Sequence, residues 1–187
     1  MNGSRWRSWG AAVALVAGWY LLAWIVVRPL SDAPVVDSWL YQHAVEALWR
    51  TGHLQFAGFT EAEPAGQVVY GVLWSRLFGA TSASFDVSVA LMGAMGALAL
   101  YALARRCGAR HTPALFATGL LICNPCYLFL SFSFMSEVPF LLLLLASHLA
   151  FACADGSRPR LFLWLTAMLA VVAFTVRPFF KQPPVND

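Results

Sequence analysis

The sequence predicts an all-α integral membrane protein with about five transmembrane helices, two interfacial helices in the first external loop, and a cytoplasmic N-terminus. Three observations carry the prediction. Of 187 residues, 60% are hydrophobic and 11% charged, against about 25% charged in an ordinary soluble domain. The apolar residues come in blocks of the size, about 20 residues, that a helix needs to cross a bilayer. The arginines fall in short segments between alternate blocks, and that asymmetry sets orientation. Residues 1–187 therefore read as one transmembrane module, and counting soluble domains by length does not apply.

Taken in order, Gly10 to Val27 is uncharged and preceded by Arg5 and Arg7. It is longer than a signal-peptide apolar core and has no small-residue cleavage site, so it reads as a retained first span, ended by Arg28-Pro29. From residue 28 to 85 no uncharged run is long enough to cross, which makes this stretch an external loop. Its first helix begins after Asp37: Tyr41, Ala44, Val45 and Leu48 recur on one face. Glu46 and Arg50 are spaced for an i,i+4 pair on the other face, and Gly52 supplies the stop. A second short helix begins near Pro64 and ends around Phe78-Gly79. It is too short to cross, and Trp39, Trp49, Tyr70 and Trp74 suit the headgroup level, so both helices are expected to be interfacial.

Four further spans follow. Residues 87–104 are rich in small residues (Gly93, Ala94, Gly96, Ala97), which allow close helix approach. Residues 113–130 form the third, 138–154 the fourth and 161–176 the fifth, closed by Arg177-Pro178. Arg5, Arg7, Arg105, Arg106, Arg110, Arg158 and Arg160 then share one side, which is the cytoplasmic one. Asp32, Asp37, Glu46, Glu61, Glu63, Asp86 and Glu137 share the other.

The formal charge of +3 comes from 12 basic and 9 acidic residues, and eleven of the basic ones are arginine. No basic run argues for nucleic acid. The sequence contains no Walker loop, Rossmann fingerprint, HExxH or GxSxG. Cys123 and Cys126 have CxxC spacing, but no second pair and no nearby histidine completes a metal or redox site, so the four cysteines are expected to be buried, inert thiols.

Two carboxylates are candidates for chemistry. Asp37 stands where a helix begins: it serves either as an N-cap, worth about 1 kcal/mol, or as a general base toward an acceptor hydroxyl or amine. Glu137 interrupts a long apolar stretch, and an acid there is costly unless partnered or wet. The bland alternative is that it ends an external turn. The third and fourth spans surface on the side of Asp37, so the two acids have the opportunity to converge. Glu61 and Glu63 flank the second interfacial helix, where the helix dipole favours them. Arg177 either binds a phosphate at the external surface or snorkels.

Three segments carry a resemblance: VVDSWLYQHAVEALWRTG in the first external loop, EPAGQVVYGVLWSRLFG after it, and SFSFMSEVPFLLLL before the fourth span. Together they resemble polyprenyl-phosphate-sugar-dependent glycosyltransferases of the GT-C superfamily, of the protein mannosyltransferase and lipid A aminoarabinose transferase type. The resemblance implies transfer of a sugar from a polyprenyl-phosphate-linked donor to an acceptor on the external face of the inner membrane, with inversion. It implies Asp37 and Glu137 as the catalytic acids and Glu63, Tyr70 and Arg177 as substrate-binding residues. No metal ligand set is implied with certainty, although a divalent cation is compatible. Two departures stand out: Ser38 follows Asp37 where a second acid is common, and Glu137 occupies a position that is commonly Asp. Such enzymes have longer chains with more spans, so the expectation is an N-terminal portion that is inactive alone. The rival expectation is a non-enzymatic multi-pass protein, a transporter-like or scaffold fragment.

Overall fold

The computed structural model describes residues 3–28, 37–55, 64–156 and 158–177, with residues 3–7 described by backbone alone. Among these residues every regular element is a helix: α1 (Gly3–Val27), α2 (Ser38–Thr51), α3 (Ala65–Phe78), α4 (Ser82–Arg106), α5 (His111–Cys123), α6 (Pro125–Ser131), α7 (Glu137–Ala152) and α8 (Pro159–Val176). Three stretches are long and apolar enough to cross a membrane: Ser8–Val27, Ser82–Arg106 and Pro159–Val176. The pair α5 and α6 makes a fourth if the two count as one span bent by 67°. Large apolar side chains such as Leu21, Ile25, Trp164 and Val171 stand exposed on α1 and α8, a surface that suits lipid rather than water.

The helix ends follow from local chemistry. Gly52 takes a left-handed φ of 72° and its N–H donates to Leu48 O, closing α2 as a C-terminal glycine does. Thr81 caps α4 by accepting from Ser84 N at 3.2 Å, so α4 begins at Ser82 rather than at Val87. Asp86 thereby lies inside the helix instead of bounding it. The expected continuous span over 113–130 is broken at Asn124-Pro125. The Asn124 side chain accepts from Cys126 N and Tyr127 N, and Pro125 takes the first turn of α6, where its missing N–H costs nothing. The helix α7 has 16 residues, about 24 Å at 1.5 Å per residue, short of the roughly 30 Å hydrocarbon core.

The central helix is α4. It lies along α7, which in turn lies along α8, while α1 and α5 flank α4 and α2 pairs with α3. Small residues set these distances. A Cβ on Gly96 would come within 2.9 Å of the Tyr127 hydroxyl, and one on Gly93 would collide with the Tyr20 and Ser131 hydroxyls. Those hydroxyls form a chain: Tyr20 donates to Ser131 Oγ (2.9 Å), Ser131 to Tyr127 O (2.7 Å), and Tyr127 to Gly93 O (2.7 Å). The chain ties α1, α6 and α4 where lipid offers no alternative partner. Ser147 Oγ donates to Thr166 O at 3.0 Å, linking α7 to α8.

The two ends of the bundle differ. At one end, Tyr101 of α4 reaches Ser8 O of α1 and His111 Nδ1 of α5, and Arg106 donates to Ala152 O of α7. At the other end lie α2, α3, the N-termini of α4 and α7, and the C-terminus of α8. The four cysteines are free. Cys107, Cys123 and Cys126 are exposed and Cys153 is half-buried, contrary to the expected burial, because three of them sit at helix ends or breaks where neighbours thin out.

Candidate functional site

The site builds on the turn between α6 and α7, residues 132–136, all of them buried. Phe134 anchors it: its ring lies 4.5 Å from that of Phe85 on α4, and Gly71 on α3 leaves the room it needs, since a Cβ there would approach Phe134 to 2.9 Å. Two polar side chains hold the backbone of the turn. Asp86 of α4, 1% exposed, accepts from the Phe134 N–H. Gln67 of α3, fully buried, donates to Met135 O at 3.4 Å.

The turn delivers Ser136 and Glu137 to the start of α7, where the helix dipole favours a carboxylate. Glu137 Oε1 pairs with Arg177 Nη1 at 2.5 Å, with side chains 30% and 39% exposed respectively. Arg177 is fixed at the end of α8 by its N–H, which donates to Ala173 O at 3.0 Å. Among the described residues, Glu137 Oε2 is buried without a partner, as are Asp86 Oδ2 and Gln67 Oε1.

Tyr41 of α2 joins this group. Burial pushes its hydroxyl above the usual tyrosine range and the Glu137 charge adds to that; a hydrogen bond from Ser136 and the Arg177 charge oppose it, and Asp37 raises it further. Tyr41 thus lies within electrostatic reach of Asp37, Glu137 and Arg177, and at physiological pH it is a neutral hydrogen-bond donor. Asp37 is exposed at the N-cap position of α2, with φ −81° and ψ 4°, and makes no side-chain capping bond. Its carboxylate is therefore not spent on the helix.

Among the sequence candidates, the structure pairs Glu137 with Arg177 and leaves these two and Asp37 within electrostatic reach of Tyr41. Tyr70 lies on α3, half-buried, its hydroxyl raised by burial against a hydrogen bond from Ser88. Glu63 lies outside the described residues, as do Asp32 and Glu61. Sequence reasoning missed three residues. Asp86 was visible only as the last charge before an apolar run, Gln67 as a lone amide in VVYGVLW surroundings, and Tyr41 as a member of an apolar stripe. Among the described residues, no group of three or more His, Cys, Asp or Glu side chains is placed to hold a metal ion.

Between α2, α3 and the start of α4, a cavity of about 550 Å³ is lined by Trp39, His43, Glu46, Trp49, Ser75 and Phe85, among others. Glu46 and Arg50 pair at 2.6 Å, and the Arg76 guanidinium sits 5.2 Å over the Trp49 ring.

Comparison with protein-family models, curated proteins and solved structures yields no match.

Proposed function

We propose that the chain is the N-terminal part of a GT-C-type glycosyltransferase that moves a sugar from a polyprenyl-phosphate donor to an acceptor at the external face of the inner membrane. The observation that carries this reading is the grouping of Asp37, Glu137 and Arg177 around Tyr41 at one end of an apolar helix bundle. Two acids, a cation and a neutral phenol are the parts such a transfer needs: a base for the acceptor, a cation for the phosphate, and a donor that stabilises developing charge. In this reading Asp37, exposed and not engaged in capping, deprotonates the acceptor. Arg177 offers its guanidinium to the donor phosphate, and Glu137 orients Arg177 or shares a divalent cation. Tyr70 of α3 borders the same end; Glu63 keeps its proposed substrate-binding role on the resemblance alone. The cavity beside Trp39 and Trp49, with aromatic faces and polar rims, is of a size for the acceptor.

The proposed topology has α1, α4, α5 with α6, α7 and α8 each crossing, and α2 with α3 lying at the external interface. Its support is that successive helices begin at alternate ends of the bundle. A membrane-impermeant maleimide checks it: Cys107 should react in inside-out vesicles and stay unreacted in right-side-out ones, and the reverse result overturns the orientation.

The non-enzymatic reading draws on the same ion pair, because a Glu137–Arg177 bridge joining α7 to α8 has a structural use. The two separate in the complete protein that contains this chain. Asp37→Asn and Glu137→Gln should each abolish transfer from a polyprenyl-phosphate sugar while expression and thermal unfolding are retained. Undiminished transfer in both variants would sink the catalytic assignment.

A further inference from the structure

A second cavity, of about 570 Å³, opens at the opposite end of the bundle, between α1, α4, α7 and α8. Its lining divides into two parts. Trp9, Leu149, Cys153 and Phe162 supply a mostly apolar wall, and Arg105 and Arg106 supply two guanidinium groups. Both arginines are exposed. Each is steadied by one hydrogen bond to a backbone carbonyl, Arg105 Nη1 to Ala109 O at 3.0 Å and Arg106 Nε to Ala152 O at 2.9 Å. Among the described residues neither has a carboxylate partner. A guanidinium carries five N–H donors, so most of each fork remains available, in the planar geometry that suits a phosphate.

The surrounding charge has the same sign. Arg110 and Arg158 lie in the adjoining turns and Arg160 in the first turn of α8, and Asp155 is the one acid in those segments. An inorganic anion needs no apolar wall, and a neutral lipid gains nothing from two unpaired arginines. A molecule with a phosphate head and an acyl body uses both halves.

We propose that this cleft binds an anionic phospholipid, its phosphate on Arg105 and Arg106 and its first acyl carbons against Trp9, Leu149 and Phe162. Basic pockets between transmembrane helices on the cytoplasmic side take lipid headgroups in this way. The site is separate from the Tyr41 group and stands whether or not the chain is a transferase. Occupancy would brace the junction of α4 with α7, since Arg106 already bridges them.

The experiment uses the full chain, purified in neutral detergent and presented separately with phosphatidylglycerol, phosphatidylcholine and inorganic phosphate, with bound lipid counted by native mass spectrometry. Phosphatidylglycerol should be retained about 30-fold more tightly than phosphatidylcholine, the sum of two arginine contributions at an anionic headgroup. Arg105→Gln with Arg106→Gln should remove that preference, whereas Arg158→Gln with Arg160→Gln should keep it. Equal retention of the two lipids, or an undiminished preference in the Arg105/Arg106 variant, overturns the proposal. Inorganic phosphate displacing phosphatidylglycerol at millimolar concentration would make this an ion site and overturn the lipid assignment. A measurement on the unaltered protein covers the case where the double variant fails to fold. Maleimide labelling of Cys153, which lines the cleft, should slow with phosphatidylglycerol and not with phosphatidylcholine; identical rates count against the proposal.

Discussion

Replacing Gly66 by alanine tests the closest backbone approach that positions the candidate site. Gly66 is the second residue of α3, and a Cβ there would meet Thr175 C and Val176 N of α8 at 2.9 Å each, and Thr175 Oγ1 at 2.5 Å. The hydroxyl has little freedom to yield, because it already donates to Val172 O at 2.7 Å. The other two atoms are backbone, so the helices must separate toward the ordinary carbon contact distance of about 3.5–4.0 Å. Overpacking of this kind costs about 1–3 kcal/mol, while alanine in a helix returns about 0.5–1 kcal/mol relative to glycine. The difference is a net loss of about 0–2.5 kcal/mol, or up to roughly 10 °C in the unfolding midpoint of a chain of this size. Thermal unfolding in detergent, followed by circular dichroism, measures it. Gly119→Ala is the control: it lies within α5 with nothing inside 4 Å of the added methyl, so its midpoint should hold or rise. A Gly66→Ala midpoint equal to that of Gly119→Ala would refute the argument that α3 and α8 are held in contact at this point.

The Glu137–Arg177 pair should show in a double-mutant cycle. With Glu137→Gln and Arg177→Gln, side chains about a third exposed limit the coupling to about 1 kcal/mol, decreasing with added salt; zero coupling at low salt would contradict the pairing. Tyr41 makes alkaline stability informative. Its folded-state pKa is raised, so its contribution is fully present below the unfolded value near 10 and is lost as pH rises through the folded value. Tyr41→Phe should flatten that alkaline decline, and an unchanged pH profile would remove the buried phenol from the account. Asp37→Ala should change the stability of the isolated chain by less than about 0.5 kcal/mol, since the carboxylate makes no capping bond; a loss near 1 kcal/mol, the usual worth of a cap, would return Asp37 to a structural role. Asn124→Ala, by contrast, removes a side chain that accepts two backbone N–H groups and should cost about 1 kcal/mol in thermal unfolding.

What could be read from the sequence was local. Periodicity and Gly52 located α2, the i,i+4 spacing located the Glu46–Arg50 pair, and uninterrupted apolar runs located the cores of α1, α4 and α8. Hydropathy windows failed where a short-range polar contact overrides an apolar average. The Asn124-Pro125 dipeptide, itself a turn signal, bends one expected span by 67°, because the asparagine side chain supplies the cap that lets a new helix start. In sequence Asp86 reads as a boundary, because charges usually bound spans. Its hydrogen-bond partner is the Phe134 N–H, 48 positions further on, and no window of the sequence contains both. Tyr41 was assigned to an apolar stripe on the same grounds, although the groups that tune its hydroxyl arrive from α7 and α8. The sequence offers Asp37 and Glu137 only the same side of the bundle; what joins their charges at Tyr41 is the packing of α2 with the start of α7 and the end of α8.

Independent of any resemblance, the distribution of unsatisfied polar atoms singles out the same region. Buried polar groups are nearly always hydrogen-bonded in folded proteins, and exceptions call for a reason. Among the described residues the buried side-chain atoms without a partner are Trp19 Nε1, Gln42 Nε2, Gln67 Oε1, Asp86 Oδ2 and Glu137 Oε2. The last three are all oxygens, they come from three different helices, and all belong to side chains that hold or extend the turn around Phe134. A structural role for the turn accounts for one oxygen of Asp86 and for the amide nitrogen of Gln67, which grip its backbone. It leaves Asp86 Oδ2 and the one amide oxygen of Gln67 without a use, at a cost in burial that an apolar replacement would avoid. Sequences keep such locally unfavourable choices chiefly where function requires them. Three acceptor oxygens around one turn, beside an arginine and a neutral phenol, are suited to protons or to a cationic or hydroxyl-bearing ligand.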